Sequence, residues 1–517
     1  MLAALRQNPT KQRSAKAYPI PAPVGGLNGT DPLTQMKPRD ALMLENFFPE
    51  ANYVSLRRGY ASHATGMTSA IETLMTYHAI NGTEKLFAAA GNIIYDVTAA
   101  GAGTNVYSTS ITSNRWQWFD FSTTAQLYIC AFNGVDTPII YNGSGWTTTT
   151  ITGSVTTSTL IGGCVHNERQ WLIQKNTLNA WYLGSNAIGG AAVKFPLTGV
   201  FNMGGQLVAA GTMSVADTGD GMDDLLVFIS DIGEAVMYAG TDPSSASTWA
   251  KKGNYRIGEP LGHRCLSKLG GDLIVLTTDG ALSLRQILTY DRTQKNQVAV
   301  TARIDHSFSE AARNYKANFG WQAQVYKRAC MAIFNVPNAE GSRQTQFVQN
   351  TMSGAWCKFT GMNANCWALL NDELYFGGNA GIVYKADSGR NDAGGDITGE
   401  MKTAFNYFGS PGVNKFFTML RPLLLNSGTP DILLGLNVDF DNDNPTGTLT
   451  ATPTSTGLWG TGLWGTALWG GSGLLIKDWR TVGKVGYCAA VRLRVAANGI
   501  SVQVNGFDVI AEPGGLM

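Results

Sequence analysis

The chain has 517 residues, which is too many for one ordinary hydrophobic core, so we expect more than one domain. Only 15% of the residues are charged and the net charge is +1, which argues against a general attraction to nucleic acid or to an acidic membrane. The 61 glycines favour many short strands joined by tight turns over long helices.

The seven cysteines are scattered and form no CxxC pair, which predicts buried, reduced thiols in place of disulfides or a metal site. The sequence contains no run of 18 or more apolar residues, so we expect no membrane span. The N-terminus carries charges where a secretory signal would need its apolar core. These features together predict a protein that is made in a reducing cytoplasm.

Residues 1–30 form a predicted extended arm. The stretch 17–23, AYPIPAP, favours polyproline II, and Gly25 and Gly26 interrupt regular structure. Two interpretations stay open, a tail without fixed structure and an arm that lies across a neighbouring subunit or an acidic partner. On the second interpretation the basic side chains of the arm are candidate subunit contacts, namely Arg6, Lys11, Arg13 and Lys16.

Residues 31–69 form a predicted N-terminal platform segment. Asp40 is placed to cap a short helix over ALMLENF, because its carboxylate can accept from the free amides of the first turn. Pro49 would end that helix. The adjacent Arg57 and Arg58 resemble a phosphate site, but neighbouring side chains on a strand point to opposite faces, which favours a structural role.

Residues 70–390 repeat one pattern, a strand, a tight turn and a second strand that ends at an aromatic residue. In its clearest copy, KLFAAAGNIIYDV, the turn falls at Gly91-Asn92. The copies lie at 85–97, 126–143, 169–184, 224–240, 271–284, 328–336 with 343–359, and 373–387. Repeats of this length, roughly 40 to 50 residues, with three or four short strands each are typical of a β-propeller. We predict about seven repeat units, with between six and eight blades.

A physical reason supports a closed ring. Each small sheet has an apolar face that it cannot bury alone, and stacking against its neighbours removes that face from water. The best helix signal, DHSFSEAARNY at 305–315, carries a capping box at Ser307 and Glu310 and is predicted to be an insertion between blades.

Residues 391–517 are predicted to form a separate β-sandwich-like platform module. Its strands are longer, and the stretch 491–504 is predicted to be a hairpin that turns at Asn498-Gly499. The fold class is therefore mainly β, a propeller with a β-rich platform built from the two chain ends.

The platform module contains three copies of a five-residue unit, TGLWGTGLWGTALWG, which present Trp459, Trp464 and Trp469. A period of five fits neither a helix nor a strand, so we expect a glycine-punctuated loop. Three interpretations stay open: packing against the protein's own sheet, a contact between subunits, and a stacking platform for sugars or bases. We count the tryptophans among the candidate subunit contacts.

The sequence offers no catalytic signature. The acid clusters at 217–224 and 439–444 lack the spacing of a calcium loop and are better explained as turns. The five histidines include no HxxxH or HxH pair, the GxSxG and GxxxxGK[ST] motifs of hydrolases and nucleotide-binding proteins are absent, and no GxGxxG follows a predicted strand. We therefore predict no enzyme activity, no catalytic or metal site, and no cofactor.

The two ends of the chain resemble a known family. The strings that carry the resemblance are PAPVGGLNGTDPLTQMKPRDALMLENFFPE with SLRRGY, MKTAFNYFGSPGVNKFFTMLRPLLLNSGTPDILLGLNVDFD at 401–441, and VNGFDVIAEPGG. The family is the tail nozzle protein of short-tailed bacteriophages, also called the tail tubular or packaged-DNA-stabilising protein. The LWG repeat is not part of the strings that carry the resemblance, and its role stays open.

The resemblance implies a structural virion protein of the tail, a homohexamer that forms a ring-shaped nozzle below the portal and adaptor proteins. Such a nozzle closes the DNA exit channel and conducts double-stranded DNA at genome ejection without sequence-specific binding. A tail fibre or spike is a further implied partner. The alternative that we keep open is a propeller-type receptor-binding or glycan-binding tail component, and a glycan hydrolase is a third hypothesis.

Overall fold

A computed structural model describes residues 15–217, 221–290, 298–449 and 474–514. The chain divides into two compact units. One unit comprises 58–352 and 359–393, and the other contains the described residues of 1–57, 353–358 and 394–517.

The larger unit is built from seven groups of mainly antiparallel strands, each of which is one blade of a propeller. Six of the groups are separate sheets, and the strands of blade six belong to a ten-stranded sheet. The strands of blades one and two are β7 (Thr73–His78), β8 (Glu84–Ala90), β9 (Ile93–Asp96) and β11 (Thr104–Tyr107), then β12 (Gln117–Ser122), β13 (Leu127–Phe132), β14 (Ile139–Tyr141) and β15 (Trp146–Thr148). Those of blades three and four are β17 (Leu160–His166), β18 (Arg169–Gln174), β19 (Asn179–Tyr182) and β21 (Val193–Pro196), then β22 (Leu207–Asp217), β23 (Gly221–Ser230), β24 (Glu234–Gly240) and β25 (Trp249–Arg256).

The remaining three blades are shorter or irregular. Their strands are β26 (Leu266–Leu269), β27 (Asp272–Thr277) and β28 (Gly280–Ser283) in blade five, β29 (Gln322–Tyr326), β30 (Met331–Ala339) and β31 (Arg343–Asn350) in blade six, and β33 (Ala364–Leu370), β34 (Glu373–Gly378), β35 (Val383–Lys385), β6 (Ala61–Thr65) and β10 (Gly101–Ala102) in blade seven. A short parallel pair, β16 (Ile151–Thr152) with β20 (Gly190–Ala191), lies outside these sheets.

The ring is closed by a strand from far upstream in the sequence. Strand β6 pairs with β35, with Ala64 opposite Val383 and Ala61 opposite Lys385, so the last blade contains both ends of the propeller segment. The first strands of neighbouring blades contact one another, as β12 does with β17, β17 with β22, and β33 with β7. Because β6 belongs to the last blade, the propeller unit begins at residue 58 and not at the predicted residue 70.

The predicted strand–turn–strand pattern corresponds to the middle hairpins of the blades. In the copy at 85–97 the turn residues Gly91 and Asn92 have φ angles of 58° and 62°. Two successive positive φ angles are the type I′ geometry that suits a two-residue hairpin, and glycine and asparagine adopt it at little cost. The aromatic residue that ends the pattern, such as Tyr141, is buried between blades.

Apolar side chains fill the space between neighbouring blades. Between blades three and four, Trp171 stacks on Trp249 with ring centroids 5.3 Å apart and planes inclined by 11°. Tyr238 also stacks on Trp249, at 5.7 Å. Because Trp171 and Trp249 come from different blades, each sheet hides its apolar face against its neighbour, as the ring argument requires.

Blades six and seven are joined by a ring of three amide side chains, of which Gln344 and Asn365 are buried and Asn379 is half-buried. Gln344 donates to Asn365 at 3.1 Å, Asn365 donates to Asn379 at 2.7 Å, and Asn379 donates back to Gln344 at 3.1 Å. Each amide both donates and accepts, so the ring satisfies groups that would be costly to bury unpaired.

The helices are few in the described part of the chain. They are α1 (Leu284–Ile287) and α2 (Asp305–Tyr315), with 3-10 turns at Thr157–Thr159, Ala302–Ile304 and Lys327–Ala329. Helix α2 lies between blades five and six, as predicted, but the capping box at Ser307 and Glu310 is wrong. The helix begins at Asp305 without a side-chain cap, because the preceding 3-10 turn leads the chain directly into it.

The smaller unit, which we call the platform, contains two sheets. Platform sheet one consists of β4 (Phe47–Pro49), β5 (Val54–Leu56), β43 (Val502–Pro513), β37 (Lys415–Asn426) and β40 (Leu474–Ile476), with β1 (Lys16–Pro21) on β43 and β41 (Arg480–Gly486) on β37. Platform sheet two consists of β32 (Trp356–Phe359), β3 (Asp40–Glu45), β36 (Ile397–Thr403), β42 (Ala489–Ala497), β38 (Asp431–Val438) and β39 (Gly447–Leu449), with β2 (Gly26–Leu27) on β3.

The two platform sheets approach each other closely at Gly399. A Cβ atom at this position of β36 would lie 2.5 Å from Leu56 and 2.7 Å from Phe47, which belong to the other sheet. Glycine is therefore required for this contact. The chain ends meet in platform sheet one, because β1 pairs with β43 from Lys16 opposite Ala511 to Pro21 opposite Gly506.

Two further predictions for the platform are wrong. The segment ALMLENF is not a helix: its first five residues lie in strand β3 and Phe47 begins β4, because pairing with β36 and β2 outweighs the local helix propensity. The stretch 491–504 is not a hairpin, since β42 pairs within sheet two and β43 within sheet one. The turn at Asn498-Gly499 carries the chain from one sheet to the other.

Candidate functional site

Of the predicted subunit contacts, only Lys16 falls on described residues. It begins strand β1, and its ammonium lies 5.3 Å from the centroid of the Tyr18 ring. The other candidates lie outside the described residues and stay predictions, namely Arg6, Lys11, Arg13, Trp459, Trp464 and Trp469. Strand β1 pairs within its own chain, so the arm interpretation is confined to residues 1–14.

Platform sheet one carries exposed apolar pairs, which we call the apolar face. Phe416 and Val485 are cross-strand partners, 42% and 55% exposed, and Leu425 and Leu475 are partners that are 37% and 53% exposed. Buried and accessible positions alternate along β37, so Phe416 and Leu425 share the accessible side. The two pairs lie nine residues apart along β37, and exposed apolar surface on one side of a sheet is typical of surfaces that contact another molecule.

One ion pair interrupts the apolar face. The Arg421 guanidinium donates to the Asp508 carboxylate at 3.0 Å through Nε, and it lies 4.7 Å from the centroid of the Trp479 ring. The side chain of Arg421 is 33% exposed and that of Asp508 16%. A guanidinium with a carboxylate and an aromatic partner is a rigid polar feature among the exposed apolar pairs.

The acid cluster at 439–444 holds protein cations. Lys402 donates to the carbonyl of Asp441 at 2.6 Å, and Arg492 donates to the carbonyls of Asn442 and Asp443 at 3.1 Å each. The carbonyl oxygens that a calcium ion would need are therefore engaged by side chains. The described residues include no group of three or more His, Cys, Asp or Glu side chains arranged for a metal ion.

Of the paired arginines, Arg57 has the structural role that the sequence indicated. Arg57 is 3% exposed and donates to Asn46 at 2.8 Å. The exposed side chain of Arg58 lies 3.9 Å from the carboxylate of Asp387 within the propeller unit.

The propeller surrounds a central cavity of about 950 Å³ that is lined by residues of all seven blades. Many lining side chains are polar, including Thr76, Gln117, Ser267, Gln322 and Gln324. The sequence carried a partial signal for this surface, because polar residues recur at alternate positions of some of the strands that begin a blade, as in Gln322 and Gln324 of β29. The repeat pattern did not predict the cavity, because the repeats were defined by their hairpins and not by the strands that begin each blade.

One end of the cavity is closed by a cluster that crosses the ring, which we call the base. Arg264, which precedes blade five, donates to Thr73 of blade one at 2.7 Å and to the carbonyl of Trp116 beside blade two at 3.0 Å. Arg264 and Arg115 lie 4.9 Å and 4.4 Å from the centroid of the Phe319 ring.

Ion pairs fix the base further. Arg115 donates to Glu72 at 2.9 Å and also pairs with Glu340 from the hairpin of blade six. Glu340 in turn accepts from the backbone amide of Phe319 at 3.0 Å. The cavity is therefore a blind cup, and a strand of DNA has no passage through the described residues of the propeller along this axis.

The opposite end of the cup has an exposed rim of mixed charge. His78 lies 3.1 Å from Glu84, which also accepts from the backbone amide of Asn371 at 2.6 Å. Lys268, Lys327 and Asp372 complete the rim. Groups of both signs are present, so the rim presents no field of a single sign.

Asp120 is the most perturbed acid of the cup wall. Its Oδ1 atom is buried and has no hydrogen-bond partner among the described residues. Burial raises the pKa of Asp120 to about 6, against a smaller opposing effect of His78. The carboxylate therefore titrates near neutral pH and has hydrogen-bonding capacity to spare.

The cysteines are free, as the sequence predicted, and all except the partly exposed Cys330 are buried. Burial raises the pKa of four thiols to about 12, those of Cys130, Cys164, Cys265 and Cys366. Those thiols stay protonated at neutral pH and are poor nucleophiles. No helix in the described ranges is long and apolar enough to cross a membrane.

No protein-family model and no curated protein matches the chain. Among solved structures, BBS1N in complex with ARL6DN, soaked with mercury, aligns over 64% of this chain and 97% of that chain, at 9% identity and a TM-score of 0.40. YCF48 bound to D1 peptide aligns over 67% and 98%, at 10% identity and a TM-score of 0.35. Similarity this distant adds no argument about function. The seven blades themselves show that the chain contains a β-propeller, together with a β-rich platform.

Proposed function

We propose that this chain is a structural tail protein of a short-tailed bacteriophage, and that its copies assemble into a ring-shaped nozzle below the portal and adaptor proteins. The observation that carries the proposal is the apolar face of platform sheet one, where Phe416 and Leu425 are exposed beside apolar partners. Exposed apolar pairs on a sheet that also contains both chain ends suit contact between identical subunits.

The blind cup bears on how such a nozzle conducts DNA. Because Arg264 and Phe319 close the base of each propeller, DNA would pass through a lumen enclosed by several subunits and not through a single propeller. A net charge of +1 suits a conduit along which DNA slides, since tight phosphate contacts would hold it in place. Ring rigidity would then come from buried interface area.

Co-assembly tests the proposal. The purified chain is mixed with a portal–adaptor complex from a short-tailed phage, and bound material is separated by sedimentation and imaged by electron microscopy. We expect a ring of this chain at the distal end of the complex. Sedimentation of the two components as separate species at every concentration would overturn the proposal.

A further inference from the structure

We propose that the central cup of the propeller is a binding site for a short neutral glycan. This function is separate from ring assembly. It is carried by the shape of the cup, by polar wall groups without protein partners, and by the charge balance of the rim.

The shape of the cup favours a bound small molecule. A cavity of about 950 Å³ lies within the usual size range of ligand sites. The base is closed by Arg264, Phe319 and Arg115, so a ligand can enter only from the rim and is surrounded by seven blades. A closed base excludes a threaded polymer, which would need two open ends.

The wall has unused hydrogen-bonding capacity. Gln117 and Ser267 are half-buried in the wall, and neither side chain hydrogen-bonds within the described part of the chain. Asp120 has a buried oxygen without a partner. By contrast, the Gln322 side chain already has protein partners, because it donates to the carbonyl of Trp367 at 2.9 Å and accepts from the backbone amide of Trp367 at 3.0 Å.

These free groups match the chemistry of sugar hydroxyls. An amide offers both donors and an acceptor, a hydroxyl offers both functions, and a carboxylate accepts. Vicinal hydroxyl groups likewise donate and accept in pairs. Gln117, Ser267 and Asp120 therefore suit a polyhydroxylated ligand better than a ligand that only donates or only accepts.

The charges of the cup argue for a neutral ligand. Lys268 and Lys327 at the rim are balanced by Glu84 and Asp372, and Arg264 at the base already donates to Thr73 and Trp116. A polyanion would meet the carboxylates, and a polyamine would meet the lysines. Neither class finds a field of one sign to attract it.

The test uses the full chain and four neutral probes, namely glucose, galactose, N-acetylglucosamine and maltotriose, with inorganic phosphate and spermidine as charged probes. Saturation-transfer difference NMR and calorimetric titration measure binding. We expect at least one neutral probe to bind saturably at one site per chain below ~10 mM. Gln117→Leu and, separately, Ser267→Ala should each weaken that binding by about 3- to 10-fold, the loss expected for one or two hydrogen bonds.

The matched control is Gln126→Leu, which changes a half-buried glutamine of the same blade outside the cup and should leave binding unchanged. Circular dichroism verifies that each variant is folded. The proposal is overturned if no neutral probe binds, if only phosphate or spermidine binds, or if both cup variants bind like the wild type. If rings form but no sugar binds, only the glycan site is overturned. If a sugar binds but the chain forms no rings, only the proposed nozzle is overturned.

Discussion

At the scale of single residues, the ionisation of Asp120 in the cup wall affects the free energy of unfolding. Its folded pKa of about 6 exceeds the ordinary value of 3.8, so the folded chain holds this proton more tightly than the unfolded chain. Its contribution to the free energy of unfolding is therefore greatest at low pH and is lost as the pH rises from about 4 to about 6. At neutral pH the ionised carboxylate lowers the free energy of unfolding, by about 3 kcal/mol if it were fully buried. For Asp120, which lines an open cavity, we expect about 1–2 kcal/mol.

Asp120→Asn keeps the shape and removes the charge. We expect the variant to be more stable than the wild type by about 1–2 kcal/mol at pH 7.5 and nearly equal to it at pH 4. Urea unfolding at both pH values measures the difference. Equal stability of the two proteins at pH 7.5 would contradict the burial of an ionised Asp120.

A second prediction at this scale concerns the amide ring of blades six and seven. Gln344→Leu removes one member and leaves Asn365 and Asn379 each short of one hydrogen bond, the first buried and the second half-buried. We expect a loss of about 2–4 kcal/mol in the free energy of unfolding, because each unsatisfied buried group costs about 1–3 kcal/mol. Gln126→Leu serves as the control and should change it by less than about 0.5 kcal/mol. Similar unfolding midpoints for the two variants would refute a stabilising role of the ring.

At the scale of elements, the apolar face is expected to hold subunits together. The double variant Phe416→Ser with Val485→Thr removes one exposed pair, 42% and 55% accessible in the single chain. We expect assembly to be lost while the stability of the single chain changes little, since exposed positions contribute little to folding. Ile80→Ser, at a position of the propeller that is 75% exposed, is the matched control and should assemble normally. Light scattering over a concentration series gives the result, and normal assembly by the double variant would rule out this face as the interface.

The sequence predicted the elements unevenly, for physical reasons. The blade hairpins were predicted well because alternation and a turn such as Gly91-Asn92 are encoded locally. Strand β3 was mistaken for a helix because its state depends on pairing with β36, which is more than 350 residues away. Closure of the ring by β6 and of the base by Arg264 also depends on contacts between residues far apart in the sequence, which no local pattern predicts.

At the scale of the whole molecule, the N-terminal arm can be tested without disturbing the platform. Removal of residues 1–30 would also remove β1 from its pairing with β43, and would therefore mix a folding defect with an assembly defect. Deletion of 1–14 leaves β1 in place. We expect the shortened chain to fold normally and to assemble more weakly, as measured by analytical ultracentrifugation. Wild-type assembly by this variant would count against an arm that reaches a neighbouring subunit.

Electron microscopy of the purified full-length chain tests the central claim most directly. The account predicts closed rings with a central hole, in which each subunit contributes one seven-bladed propeller whose own axis is blocked. Single particles at every concentration, alone and with a portal–adaptor complex, would contradict it.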